Sequence, residues 1–230
     1  MRMSKRSILK YFSGIKTIEM KINKKSVLKY ILELLIVAFG VFLGIEVSEY
    51  KSDKKMKENV IESLDLITKE LQSNSLRLEE SIIYHQNIKV GFDSIRKNIS
   101  MENAYLPYFS NTVFRHNSIP NWNGLGIPGI EDIAFESAKI GGIFQELDIE
   151  KIKLISNAYK KLNSNTELGR SLTTKFIGID SNTKILDIIG IFELLTNDVL
   201  MTEIYLKKEL DKTIEKLNNA TQSIDGSAPK

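Results

Sequence analysis

The sequence predicts an all-α protein, in which a single N-terminal transmembrane helix continues into an antiparallel helical bundle. Three observations carry that expectation. Residues Tyr30 to Val47 form an 18-residue run containing only two acids. From Ile45 to Val90 there is neither glycine nor proline, while apolar residues recur at helical spacing. A second rhythm from Ile185 to Leu217 matches the first well enough for the two helices to lie side by side. The chain then divides into a cytoplasmic basic amphipathic segment (1–27), a transmembrane helix (28–48), an extracytoplasmic helical bundle (49–222, with a loop at 99–129) and a disordered polar tail (223–230).

In the first segment, Ile8, Tyr11, Phe12, Ile15 and Ile18 share one arc if residues 5–20 are helical, with lysines and arginines on the rest. That pattern suits a helix lying on an anionic leaflet. Gly14 interrupts it, so a floppy basic tail is the alternative. The apolar run follows. A spanning helix needs about 20 mostly apolar residues, and Val27 and Leu28 bring this run to that length. Glu46 falls at one interface, and Glu33 lies one turn inside, within reach of Lys29. Residues 1–50 hold nine Lys/Arg against four Asp/Glu, whereas 51–230 hold 23 against 25. The lysines before the span predict that the N-terminus stays in the cytoplasm and the main domain is periplasmic, in a bacterial inner membrane. No small-residue cleavage site follows the run, so it reads as a signal anchor.

Within the span, Gly40 and Gly44 form a G-x-x-x-G. Ser48 continues the small-residue stripe, and Glu33 lies on nearly the same face. Small residues let helix backbones approach closely, and a polar group there can hydrogen-bond a neighbour. Glu33, Gly40, Gly44 and Ser48 are therefore the expected interface, with a second copy of the chain or another membrane protein as partner.

Beyond the membrane, Val60, Leu64, Ile67, Leu71 and Leu78 are spaced 4, 3, 4 and 7 apart, leaving Asn74 and Ser81 on the same seam. Broken seams of this kind pack within bundles more often than they form long coiled coils. Ile185, Ile188, Phe192, Leu195, Val199, Leu206, Leu210 and Leu217 form the C-terminal counterpart. Pro120, Gly124, Gly126, Pro128 and Gly129 make residues 111–129 a loop. Helices are expected at 130–147, at 149–162 with Asp148 as N-cap, and at 167–177 ended by Gly178. Asp187, Glu193, Asn197 and Asp198 make 185–201 too polar for a second span.

The anchor resembles that of a bacterial family of small single-span proteins with no assigned function, which reads G-E-I-x-L-V-x-x-G-I-x-x-A-L-x-I-x-x-W. Glu33, Val37, Gly40, Gly44 and Tyr50 fall at the matching spacings, with Leu32, Gly44 and Tyr50 standing where the family has Gly, Ala and Trp. The stretch Ala134-Phe-Glu-Ser-Ala-Lys-Ile-Gly-Gly-Ile143, followed by Tyr159, is similar to an A-W-E-x-A-K-x-x-G-x-L segment of related membrane-anchored proteins. The resemblance implies an envelope protein with a helical exterior and carries no catalytic residue.

Familiar chemistry is sparse. There is no cysteine, so disulfides, thiol nucleophiles and thiolate metal sites are excluded. The two histidines, His85 and His116, lie in no H-E-x-x-H or E-x-x-H pattern and read as surface or capping residues. Gly124, Gly126 and Gly129 spell G-x-G-x-x-G, but no strand precedes them and Pro128 interrupts. No catalytic, cofactor-binding or metal-binding residue is assigned, and the near-neutral domain argues against nucleic acid. The loop residues Phe114, Arg115, His116, Trp122 and Asn123 offer a recognition surface, or Trp122 plugs the end of the bundle. The expected function is a non-enzymatic accessory or interaction protein. A ligand-sensing exterior that signals through a partner is the alternative, and an enzyme comes third.

Overall fold

The computed structural model describes residues 24–225, and it is all-α. Among these residues the β structure amounts to one bridge between Pro107 and Lys184. The elements are α1 (Lys24–Arg96), α2 (Met101–Ala104), α3 (Ile133–Ile140), α4 (Ile143–Glu146), α5 (Ile149–Ile177), α6 (Ile185–Glu193), a π-helical segment (Leu194–Val199) and α7 (Leu200–Asp225). The amphipathic reading of residues 5–20 lies outside the described residues, as do residues 226–230 of the expected 223–230 tail, while residues 223–225 continue α7.

The chain forms two compact units, Met1–Lys55 and Met56–Lys230. In the first, α1 is one turn of apolar side chains after another with nothing packed on them: Leu34 is 70% exposed and Ile36 64%. It is the one helix among the described residues long and apolar enough to cross a membrane.

The second unit has its own core, laid down by the α1 seam. Leu64, Ile67, Leu71 and Leu78 are buried at 3.5-residue spacing against Phe135 of α3, Ile155, Tyr159 and Leu162 of α5, and Leu206, Leu210 and Leu217 of α7. Each such side chain contributes about 1.5–3 kcal/mol. Further along α1, Ile88 and Phe92 enter a second cluster with Phe114, Ile119, Leu172 and the apolar face of α6. The π-helical segment widens the last helix so that consecutive residues, Leu195 and Thr196, both turn inward.

Local signals account for most boundaries. Asp148 caps α5, its carboxylate accepting from the Lys151 N–H at 2.8 Å. Gly178 closes the same helix. Two expectations are corrected. The helix expected over 130–147 is two short ones, α3 and α4, because Gly142 takes a left-handed backbone, φ 77°. The helices expected at 149–162 and 167–177 are one, α5. The polar Asn163-Ser164-Asn165 stretch does not break it, since Asn165 is buried on the continuous inner face.

Candidate functional site

The polar residues that interrupt the α1 seam converge on one target, the connector between Trp122 and Phe135. Glu70, Asn74, Arg77, Ser81 and Tyr84 recur every three to four residues, with His85 next to Tyr84, so they line one side of α1. Near its start, the Tyr84 hydroxyl donates to the Gly124 carbonyl at 2.7 Å and accepts from the Asn123 N–H at 2.9 Å. Arg77 donates to the Gly129 carbonyl at 3.0 Å and pairs with the Glu131 carboxylate. The Asn74 amide donates to the Glu131 carbonyl at 2.7 Å and accepts from the Glu131 N–H at 2.9 Å. Glu70 caps α3 from outside the helix, accepting from the Ala134 N–H at 2.7 Å, the Phe135 N–H at 3.3 Å and the Tyr159 hydroxyl at 2.5 Å. Burial and this bond to Glu70 push the Tyr159 hydroxyl far above its ordinary range.

The centre of the clamp is wholly enclosed. His85 and Glu203 are both 0% exposed, with Nδ1 of His85 2.8 Å from Oε2 of Glu203. Nε2 of His85 donates to the Leu125 carbonyl at 2.7 Å. Oγ of Ser81 lies 2.8 Å from both the Gly126 carbonyl and Oε1 of Glu203. This layer separates the two hydrophobic clusters along α1, Leu78 belonging to one and Ile88 to the other. The expectation that His85 is a surface or capping histidine is therefore corrected. The backbone comes this close because residue 126 is glycine: its φ is 67°, and a Cβ there would stand 2.3 Å from the Tyr84 ring.

Serine, histidine and glutamate together raise the question of nucleophilic catalysis, and the geometry answers against it. Oγ of Ser81 is 3.5 Å from Nδ1, the nitrogen that serves Glu203, and Nε2 is occupied by a carbonyl. A nucleophile needs the free imidazole nitrogen and an open approach. Ser81 has neither, being 5% exposed. Among the described residues no group of three or more His, Asp or Glu side chains is arranged to hold a metal ion.

The loop residues singled out from the sequence are brought together, mostly as packing. Phe114 is 1% exposed. Trp122 meets Phe192 at 5.0 Å, His116 at 5.6 Å and Phe176 at 5.8 Å, the contacts of a core residue. The Tyr108 hydroxyl is hydrogen-bonded to Nδ1 of His116, and the His116 backbone N–H donates to that hydroxyl at 3.2 Å. Burial and the neighbouring Arg115 guanidinium hold the His116 imidazole below the ordinary histidine value. Arg115 itself lies over the Tyr108 ring and donates to the Phe109 carbonyl. Asn123 alone of the five is exposed.

On the apolar helix, Glu33 pairs loosely with Lys29 at 3.8 Å. A Cβ added at Gly40 or Gly44 would meet nothing within 4 Å, and Ser48 is exposed. No family model matches this chain, no curated protein matches it, and no solved structure matches it.

Proposed function

We propose that this chain is a non-enzymatic, membrane-anchored interaction or accessory protein that presents an antiparallel helical bundle outside a bacterial cytoplasmic membrane. The observation that carries the reading is the contrast between its two units. From Met56 onward, apolar side chains find one another in two clusters. From 28 to 48 they find nothing, although this is the most apolar stretch of the chain. Leaving these fourteen large apolar side chains in water costs more than a domain's net stability, so lipid is their natural surroundings. The lysines before residue 30 support a cytoplasmic N-terminus. The resemblance of the Glu33 to Tyr50 motif to single-span envelope proteins points the same way.

The interaction role draws on the character of the clamp. Its polar groups are spent on holding the connector, and its one Ser–His–Glu constellation is closed to substrate. Partner binding is then assigned to the anchor face of Glu33, Gly40, Gly44 and Ser48 and to the outer surface. Purification of the full chain in mild detergent tests this. A stoichiometric partner, or a self-associated species lost on replacing Gly40 and Gly44, is expected. A monomer with no partner and measurable turnover would replace the reading with an enzymatic one.

A further inference from the structure

We propose that Asn123–Gly124 is a self-modification site, where Asn123 loses its side-chain amide through a succinimide and the isoaspartyl product loosens the connector. The Gly124 nitrogen attacks Cγ of Asn123 and gives up its proton. The Cγ–Nδ2 bond breaks, and the departing nitrogen takes up a proton and leaves as ammonia. Water then opens the five-membered ring. Cleavage of the new Cγ–N bond leaves aspartate on an unchanged backbone. Cleavage of the original peptide C–N bond leaves isoaspartate, with the main chain rerouted through Cβ and Cγ. In sum, asparagine and water give aspartate or isoaspartate and ammonia, so water is the one co-reactant.

Ring closure needs an unhindered nitrogen, a peptide unit that can turn, and an unbound side chain within reach of water. Gly124 supplies the first, since even a Cβ there would meet nothing within 4 Å. The peptide unit between Asn123 and Gly124 supplies the second. Among the described residues nothing accepts from the Gly124 N–H or donates to the Asn123 carbonyl. The Asn123 side chain makes no hydrogen bond among them either, and both residues are exposed. Tyr84 grips the groups on either side, the Asn123 N–H at 2.9 Å and the Gly124 carbonyl at 2.7 Å. The unit that must rotate is left loose between two fixed points.

Every other asparagine among the described residues fails one of these conditions. Those inside α1, α5, α7 and the π-helical segment are followed by N–H groups spent on the helix ladder. After Asn98, Asn103, Asn117, Asn121 and Asn182 the next N–H is bonded to the carbonyl of Arg96, Ser100, Arg115, Ile119 and Asp180 in turn. Asn111 has its own side chain tied to Tyr108, Val113 and Phe114. No second Asn–Gly pair occurs in the sequence. The two products act differently on the clamp. Aspartate keeps the number of backbone atoms between the two groups that Tyr84 holds. Isoaspartate adds one, so a single hydroxyl no longer spans both at their present distances. The chain then shifts at Gly124, beside the Leu125 carbonyl held by His85.

Peptide mapping by mass spectrometry tests the site on the full chain in detergent, aged in mildly alkaline buffer. The peptide holding residue 123 is expected to gain the mass difference between O and NH. It should do so as two products, matching synthetic peptides with aspartate or isoaspartate at 123, and before any other asparagine in 24–225 reacts. Asn123→Gln, whose longer side chain would have to close a six-membered ring, is expected to keep its mass. An Asn123 amide that persists, or that is lost no sooner than another asparagine, overturns the proposal. So does an equal mass gain in Asn123→Gln. Hydrogen–deuterium exchange at the amide of residue 123, which Tyr84 now holds, then separates the products. The isoaspartyl fraction is expected to lose protection there, whereas the Asn123→Asp variant keeps it. Equal protection in the two overturns the loosening of the connector.

Discussion

Nδ1 of His85 and Oε2 of Glu203 stand 2.8 Å apart, both fully buried, although 118 residues separate them in sequence. The pair joins α1 to α7 between two apolar clusters. His85→Leu is expected to cost about 3–5 kcal/mol, because it leaves the Glu203 carboxyl stranded. Adding Glu203→Leu should recover part of that loss. Denaturant unfolding of the two variants checks the order, and additive losses would mean the residues act separately.

Glu70 does three jobs with one carboxylate, so its loss should exceed that of any one of its partners. Glu70→Ala is expected to cost about 2–4 kcal/mol, since two N–H groups of α3 and the Tyr159 hydroxyl lose their acceptor. Tyr159→Phe removes one donor and should cost about 1 kcal/mol. Equal losses would show that the cap on α3 contributes little.

Much of this arrangement is written in the α1 seam. The buried positions 64, 67, 71, 74, 78, 81, 85, 88 and 92 alternate in steps of three and four, and the apolar ones among them stand out on reading. The polar members carry the missed information. Asn74 and Ser81 look like gaps in a seam but are the groups that bind the connector, and His85 lies one step further on the same face. Glu203 has the same signal, four residues after Val199 on an otherwise apolar stripe. An acid and a histidine on inward faces of two helices ask for a common partner. Which pair meets depends on how the helices align, and periodicity within one helix does not contain that. Asp148 and Gly178 were legible because caps act within one turn.

His116 gives stability a pH dependence of known sign. Its folded value lies below the ordinary 6.5, so the unfolded chain takes the proton first. The contribution of its neutral ring is complete above about pH 6.5 and is lost as the pH falls through the folded value. The stability gap between wild type and His116→Gln, which does not titrate, should therefore be wider near neutrality than in acid. A gap that widens toward acid would reverse the assignment.

If residues 28–48 span a membrane, the G-x-x-x-G of Gly40 and Gly44 predicts close helix approach there. Replacing both with Ile should weaken association by about 1 kcal/mol or more while leaving insertion intact. Glu33→Gln separates two roles, for it keeps hydrogen bonding and removes ionisation. Association that survives the double replacement would leave the anchor as a tether only.

Residues 28–48 are proposed to cross a membrane with the N-terminus inside and the helical domain outside. The absence of native cysteine makes single introduced thiols clean reporters of side. In intact inner-membrane spheroplasts, a membrane-impermeant maleimide should label Lys97→Cys on the outer domain. It should leave Ser7→Cys unlabelled until the membrane is opened. Labelling of Ser7→Cys alone would reverse the orientation, and recovery of the whole chain in the soluble fraction would show that residues 28–48 do not anchor it in a membrane.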